Sequence, residues 1–160
     1  MSSPPGEVHH EVECVVRLDE RLEPAGIAVG LDLTDRLTQG ELRADQLPWT
    51  KGKCFRSSAV IGGWSAWNGT WEDLVDPSIG LHLSLSVNEE LRQSTPLSDM
   101  SVTPRQQIAS LEAWAPVGDG DVLFTGTPEG VGQLFQGDRV RARLINAAGE
   151  VLSDIDIACA

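Results

Sequence analysis

The stretch Val8–Val16 constrains the fold most, because it has the β-branched composition of a strand yet contains two carboxylates. Alternate side chains of a strand point to opposite faces, so Glu11 and Glu13 share one face, together with His9. Two acids about 7 Å apart on a partly desolvated face repel each other, and a divalent cation is the usual way to neutralise them. An edge strand with a solvated acidic face is the alternative that this pattern leaves open.

A second segment, Ala25–Thr34, is a short apolar run with two glycines and one acid, Asp32. Its length and apolar character predict a buried strand, which would place Asp32 in the interior. A buried aspartate is costly unless it is hydrogen-bonded or binds a cation, so Asp32 is either a structural acid or a ligand. Three carboxylates from two strands would offer Mg²⁺ or Mn²⁺ an oxygen-rich face. Zinc suits the sequence less, because no H-E-x-x-H spacing is present.

The length of 160 residues predicts one domain over 1–160, of which residues 1–7 form a flexible leader. Lys and Arg number 12 against 24 Asp and Glu, a net charge of -12 that argues against nucleic acid and acidic membrane surfaces as partners. An anionic ligand would therefore need local positive charge. A metal and Lys53, which follows Lys51 and Gly52 before an apolar pair, would supply it, although a solvated turn is the alternative for this segment.

The three cysteines are Cys14, Cys54 and Cys159, and none has C-x-x-C spacing. This pattern suggests neither a disulfide framework nor a zinc knuckle, and it fits a reducing, cytoplasmic setting. The sequence contains no apolar run of the roughly 20 residues that would cross a bilayer. We therefore expect no membrane partner.

The rest of the chain alternates between strand patterns and turns. Leu81–Asn88 predicts a half-exposed strand, and Thr103 predicts the N-cap of a helix in which Gln106 completes a capping box. Thr125–Gly132 is a glycine-rich loop without the G-K-[ST] ending of a phosphate-binding loop, and its N–H groups are suited to hold a carboxylate.

Four stretches together resemble the fumarylacetoacetate hydrolase family, in its small acylpyruvase and oxaloacetate-decarboxylase branch. They occur in the family's order and span nearly the whole chain. They are the H-H-E-V-E motif at 9–13, L-D-L-T at 31–34 with Arg36 and Gln39, Pro48-Trp49 with Lys53, and T-G-T-P-E-G-V-G at 125–132.

The resemblance implies a β-rich α+β fold, namely a mixed β-roll of the type found in the family's C-terminal domain with a few short helices. A homodimer is implied as well. It also implies Mg²⁺ or Mn²⁺ as the cofactor and assigns roles to eight residues. Those are Glu11, Glu13 and Asp32 as metal ligands, Lys53 and Gln39 as catalytic residues beside the substrate, and Thr127, Gly126 and Arg36 as substrate-binding residues.

The implied activity is that of a metal-dependent enzyme acting on a small 2-oxo carboxylate. Family members carry a further N-terminal segment, with a His and Glu pair that activates water for C–C bond hydrolysis. The chain begins almost at the H-H-E strand, which favours decarboxylation or enol–keto isomerisation over hydrolysis. Two alternatives stay open: a weak or inactive member that keeps the metal site for ligand binding or subunit pairing, and a fragment of a longer chain.

Overall fold

The computed structural model describes residues 6–160, which form three β-sheets, three short α-helices and two short 3₁₀ segments. The predicted β-rich α+β class is therefore confirmed. Residues 1–5 of the predicted leader lie outside the described residues. Glu7, at its other end, accepts a hydrogen bond from the backbone N–H of Arg36 (2.8 Å).

The strands are short, and all their pairings are antiparallel. The twelve strands are β1 Val8–His10, β2 Val12–Leu18, β3 Pro24–Asp32, β4 Thr34–Asp35, β5 Ala59–Ile61, β6 Ser65–Ala66, β7 His82–Val87, β8 Glu90–Pro96, β9 Val122–Phe124, β10 Gly132–Gln133, β11 Arg139–Ile145 and β12 Val151–Ala158. The α-helices are α1 Arg36–Ala44, α2 Thr50–Lys53 and α3 Pro104–Glu112, and the 3₁₀ segments are Asp73–Val75 and Leu97–Asp99.

The central hairpin of β2 and β3 organises the molecule. It lies in a sheet of order β5-β3-β2-β9, with β6 paired to the other end of β3. Cys14 pairs with Val29 and both face the core, so the next pair, Glu13 with Gly30, lies on the opposite face. The alternation of the sequence thus separates a packed core face from the face that carries the acid.

A second sheet, of order β12-β11-β7-β8, closes the core. The predicted alternation of β7 is confirmed, because Leu83 and Leu85 are fully buried while His82 lies on the polar face against Ser94 (2.9 Å). The sheet therefore packs one side on the hairpin and leaves the other to solvent.

The helix predicted to begin after Thr103 is α3, and its capping box is confirmed. The Thr103 hydroxyl accepts from the backbone N–H of Gln106 (3.3 Å), and the Gln106 side chain accepts from the backbone N–H of Thr103 (2.9 Å). Ile108 is fully buried on the inner face. The polar segment after β4, which the sequence leaves as irregular or a short helix, is α1.

Two details of the sequence-based prediction are wrong. The first strand is not continuous: β1 joins a separate sheet of order β10-β1-β4, and Glu11 falls between β1 and β2, where its carbonyl accepts from Asp32 N–H (2.9 Å). Asp32 is not fully buried either, since its side chain is 27% exposed. It ends β3, where the chain turns away from the hairpin and the aspartate reaches the open side of the site.

None of the helices in the described part of the chain has both the length and the apolar character needed to cross a membrane.

Candidate metal centre and ligand site

Three carboxylates converge where β1 passes into β2 and where β3 ends. One oxygen each from Glu11, Glu13 and Asp32 can be chosen so that all three lie within 4.8 Å of one another. Glu11 and Glu13 are only 6% and 4% exposed. This all-oxygen donor set fits a hard dication such as Mg²⁺ or Mn²⁺, with the remaining coordination positions left to water or an oxygen ligand.

The ammonium group of Lys53 lies against the same carboxylates. Its Nζ is 2.6 Å from Oε2 of Glu11 and 2.5 Å from Oδ2 of Asp32. Burial pushes the pKa of Lys53 down, but the hydrogen bonds to Asp32 and Glu11 outweigh it, so the pKa is raised and the group stays charged. A dication bound by these acids would therefore share them with Lys53.

Helix packing positions Lys53. The residue before it, Gly52, is buried in α2 and lies directly against α1, where a Cβ atom at position 52 would come 3.1 Å from the backbone nitrogen of Gln39. A larger residue at position 52 would push the two helices apart. The close approach therefore sets where α2 ends and where the Lys53 side chain begins.

Arg36 and Gln39 approach the centre from the first turn of α1. Asp35 caps this helix through the backbone N–H of Thr38 (3.2 Å), which fixes Arg36 at its first position. Arg36 donates to Oε1 of Glu11 (2.5 Å) and to Oε1 of Gln39 (2.7 Å). Because an arginine can only donate, the oxygen of Gln39 faces Arg36, and within residues 6–160 its amide N–H groups have no acceptor.

Glu13 links the cluster to the glycine-rich loop. The backbone N–H of Gly126 donates to Oε2 of Glu13 (2.7 Å). Burial raises the pKa of Glu13 to about 7, the Gly126 N–H opposes this, and the nearby charges of Asp32 and Glu11 add to it. In the metal-free protein Glu13 therefore readily holds a proton near neutral pH.

The glycine-rich loop is anchored on both sides. The Thr125 hydroxyl donates to the carbonyl of Cys14 (2.8 Å), and Nε2 of Gln107 on α3 donates to the carbonyl of Thr125 (2.9 Å). Nε2 of Gln93 on β8 donates to the hydroxyl of Thr127 (2.8 Å). The loop is thus held at defined distances from β2, α3 and β8.

Sequence reasoning did not identify Gln93 and Gln107. Both lie in segments of polar composition, and no neighbouring residue distinguishes them from solvent-facing glutamines. Their roles follow from tertiary packing, which makes Gln93 only 1% exposed.

A cleft of about 380 Å³ adjoins the loop. It is lined by Gly126 and Thr127 and by apolar groups that include Met100 and Val102. The cleft is large enough for a small organic molecule whose carboxylate end would lie at the loop.

The eight residues assigned by resemblance thus form one connected arrangement. Six belong to the carboxylate cluster and its cationic and amide neighbours, and two belong to the loop bonded to it. They are Glu11, Glu13, Asp32, Lys53, Arg36 and Gln39 in the cluster, and Gly126 and Thr127 in the loop.

Residues 5–155 match the family model of the fumarylacetoacetate (FAA) hydrolase C-terminal domain. Over 145 residues the chain is 38% identical to oxaloacetate tautomerase YcgM of Escherichia coli, and the match covers 84% of the chain and 64% of the relative. It is 36% identical to the mouse mitochondrial oxaloacetate tautomerase FAHD1, of which it covers 63%. The chain thus spans slightly less than two thirds of the length of these curated relatives.

Solved structures agree with these matches. A fumarylacetoacetate hydrolase family protein from yeast superposes with a TM-score of 0.83 at 28% identity, over 96% of this chain and 67% of the yeast chain. Fumarylpyruvate hydrolase from Pseudomonas aeruginosa, solved with Mn²⁺ and pyruvate, superposes with a TM-score of 0.80 at 28% identity, over 100% of this chain and 70% of that one. The likeness confirms the predicted mixed β-roll, and with the matched family model it shows that the chain belongs to the fumarylacetoacetate hydrolase family.

Proposed function

We propose that this chain is the catalytic domain of a divalent-metal-dependent enzyme that interconverts the enol and keto forms of a small 2-oxo dicarboxylate such as oxaloacetate. The observation that carries the proposal is the convergence of Glu11, Glu13 and Asp32 with Lys53 beside them. The curated relatives named as oxaloacetate tautomerases support the choice of reaction.

The charge of the site suits an anionic substrate. Three ionised carboxylates against Lys53 and Arg36 leave a net charge of -1, which a dication would change to +1. This local charge would attract a carboxylate although the chain as a whole carries -12. When bound, Mg²⁺ or Mn²⁺ would supply Lewis-acid stabilisation of negative charge on the substrate oxygens.

The side chains divide the remaining tasks. Lys53 holds its proton and donates a hydrogen bond to the substrate oxygen on which negative charge grows in the enolate. In the keto-to-enol direction the proton lost from the neighbouring carbon passes to solvent water and water returns a proton to that oxygen, and the reverse direction runs the same exchange backwards. In the described part of the chain no acceptor engages the N–H groups of Gln39, and these groups would orient the same end of the substrate. Thr127 and the loop backbone would hold the carboxylate, and Gly126 and Thr127 also line the cleft that would accept the rest of the molecule.

Decarboxylation of a β-oxo acid and hydrolysis of an acylpyruvate also pass through an enolate, so the same groups would stabilise them. They differ in product. Decarboxylation releases CO₂, hydrolysis yields pyruvate and an acid, and tautomerisation yields neither.

The test is a substrate panel assayed on protein stripped with EDTA and then supplied with Mg²⁺ or Mn²⁺. We expect accelerated decay of enol-oxaloacetate that is lost with EDTA and restored by either ion. Glu11→Gln and Asp32→Asn should abolish the restored rate, whereas Glu41→Gln, an exposed acid on α1, should leave it unchanged. Unchanged turnover in Glu11→Gln and Asp32→Asn would refute the metal assignment.

A protein that binds Mn²⁺ but turns over none of the panel would instead favour the non-catalytic alternative. The homodimer stays a prediction, which light scattering on the purified chain would test. The single-domain extent of 1–160 also stays a prediction.

A further inference from the structure

Gln93 is a buried polar residue with every hydrogen-bonding group engaged. Its Oε1 accepts from the backbone N–H of Val12 (3.1 Å) and faces Nδ1 of His10 (2.9 Å). Its Nε2 donates to the hydroxyl of Thr127 (2.8 Å) and to the carbonyl of Pro128 (3.0 Å). A side-chain amide has two donors and two acceptor positions, and this one uses all four.

The backbone partners fix which way the amide points. The N–H of Val12 can only donate and the carbonyl of Pro128 can only accept, so the oxygen of Gln93 faces β2 and its nitrogen faces the loop. Two assignments follow. Nδ1 of His10 carries a hydrogen and donates it to Gln93, and Oγ1 of Thr127 receives a hydrogen from Gln93.

A hydroxyl that accepts at one lone pair keeps its own proton for another acceptor. Within residues 6–160, no protein acceptor takes the Thr127 hydroxyl proton. Thr127 follows Gly126, whose N–H already lies on Glu13. The free hydroxyl proton is thus held on the loop that closes the carboxylate cluster.

We propose that His10 and Gln93 form a hydrogen-bonded relay that keeps Thr127 a donor toward the substrate carboxylate, which makes Gln93 a positioning residue. The inference rests on the proposed function, because the carboxylate is the ligand assigned there to Thr127. Gln93 acts through its protein partners and not on the substrate itself, since His10, Val12, Thr127 and Pro128 occupy all four of its hydrogen-bonding positions.

Gln93→Glu tests the direction of the hydrogen bonds in the relay, from His10 to Gln93 and from Gln93 to Thr127. The carboxylate has nearly the shape of the amide and still accepts from His10 and Val12. In its ionised form this side chain cannot donate to Thr127 or to the Pro128 carbonyl, and it would instead accept the Thr127 proton, so the measurements are made at a pH at which it is ionised. We expect the KM for the 2-oxo acid, and the Kd for pyruvate on Mn²⁺-loaded protein, to rise at least about tenfold, with the Kd for Mn²⁺ alone unchanged.

Variants of Thr127 allow a double-mutant cycle with Gln93→Glu, and the two variants needed are Thr127→Val and Thr127→Ser. The valine variant should lose pyruvate affinity and the serine variant should retain it, since only the hydroxyl matters. In the Thr127→Val background Gln93→Glu should add no further loss, because the proton it would redirect is gone. Additive losses in the double variant would overturn the relay, as a merely structural role for Gln93 predicts them.

A spectroscopic signature supplies a test that needs neither turnover nor a folded Gln93 variant. The ¹⁵N chemical shifts of the His10 ring should show Nδ1 protonated and Nε2 unprotonated at neutral pH. Protonation at Nε2 alone would overturn the relay. If the wild type shows the expected tautomer but neither binds pyruvate nor turns over any substrate of the panel, the proposed function is wrong, and so is the assignment of a carboxylate as the ligand of Thr127. If the wild type binds pyruvate and the losses in the double variant are additive, only the relay is wrong.

Discussion

The backbone N–H of Gly126 donates to Oε2 of Glu13 over 2.7 Å, so the glycine-rich loop is bonded directly to one of the three clustered carboxylates. This hydrogen bond favours the ionised form of Glu13, but burial prevails and raises its pKa to about 7. The protonation of Glu13 is therefore expected to couple to events at the site.

Metal binding should release a proton from Glu13. A carboxylate must be ionised to bind Mg²⁺ or Mn²⁺, whereas Glu13 of the metal-free protein is largely protonated below its pKa of about 7. Calorimetric titration with Mn²⁺ at about pH 6, in buffers of different ionisation enthalpy, should show close to one proton released and fewer above about pH 8. Glu13→Gln is the control and should show little release; equal release by both proteins would contradict the assignment.

The same pKa predicts how the stability of the metal-free protein changes with pH. The folded protein holds the Glu13 proton more tightly than the unfolded chain, in which the pKa is near 4.5. This contribution to the free energy of unfolding is fully present below about pH 4.5 and is lost as the pH rises to about 7, a loss of up to about 3 kcal/mol. Urea titrations at pH 5 and 8 should show a smaller decline in Glu13→Gln than in the wild type.

Replacement of Lys53 should destabilise the metal-free protein more than the metal-bound protein. Without its ammonium, Glu11 and Asp32 lose the positive charge that lies within 2.6 Å of both, and their repulsion would be relieved again by a dication. Lys53→Met should therefore lower Tm in EDTA, with a smaller loss when Mn²⁺ is present.

Lys51→Met is the matched control, since Lys51 lies on the same helix with its side chain exposed. Its Tm should change little in either condition. Equal Tm losses for the two variants would indicate that the contact of Lys53 with the acids contributes nothing specific.

Gly130→Ala should be severely destabilising. Gly130 has φ +97°, and a Cβ atom there would lie 2.1 Å from the carbonyl oxygen of Arg92. Gly149 has φ +77° with no heavy atom within 4 Å of such a Cβ, so Gly149→Ala isolates the backbone strain. We expect about 1 kcal/mol for Gly149→Ala and at least about 3 kcal/mol for Gly130→Ala, measured by denaturant titration.

The cysteines should differ in reactivity. Cys14 is fully buried, and burial raises the pKa of its thiol to about 12, whereas Cys54 is exposed. A thiol reagent such as Ellman's reagent should label Cys54 quickly and Cys14 only after unfolding. Cys54→Ser should remove the fast phase, and fast labelling of Cys14 in the native protein would contradict its position in the core.

The convergence of the acids could be predicted from the sequence because it depends on local rules. The two-residue spacing of Glu11 and Glu13 predicts that they share one side of an extended chain, and the apolar run after residue 24 predicts the second strand, which carries Asp32. The prediction of a continuous strand through Glu11 was wrong, because periodicity does not reveal that β1 takes its partners from another sheet.

The positions of Lys53 and Gln93 depend on contacts between residues far apart in the sequence, which local patterns do not reveal. Lys51 and Lys53 have similar local sequences. The packing of Gly52 against Gln39 positions Lys53, and not Lys51, beside the carboxylates. Gln93 reaches His10 across 83 positions of the chain, a separation at which spacing carries no signal. Gln93 is buried because the sheets pack around it, and that packing depends on residues far apart in the sequence.

The hydrogen bond from Asp32 N–H to the carbonyl of Glu11 has a consequence for engineering this protein. It fixes the spacing of two of the three acids through the main chain, because neither of its two atoms belongs to a side chain. Other donor groups can therefore be introduced at positions 11 and 32 while the distance between the two backbone segments is kept.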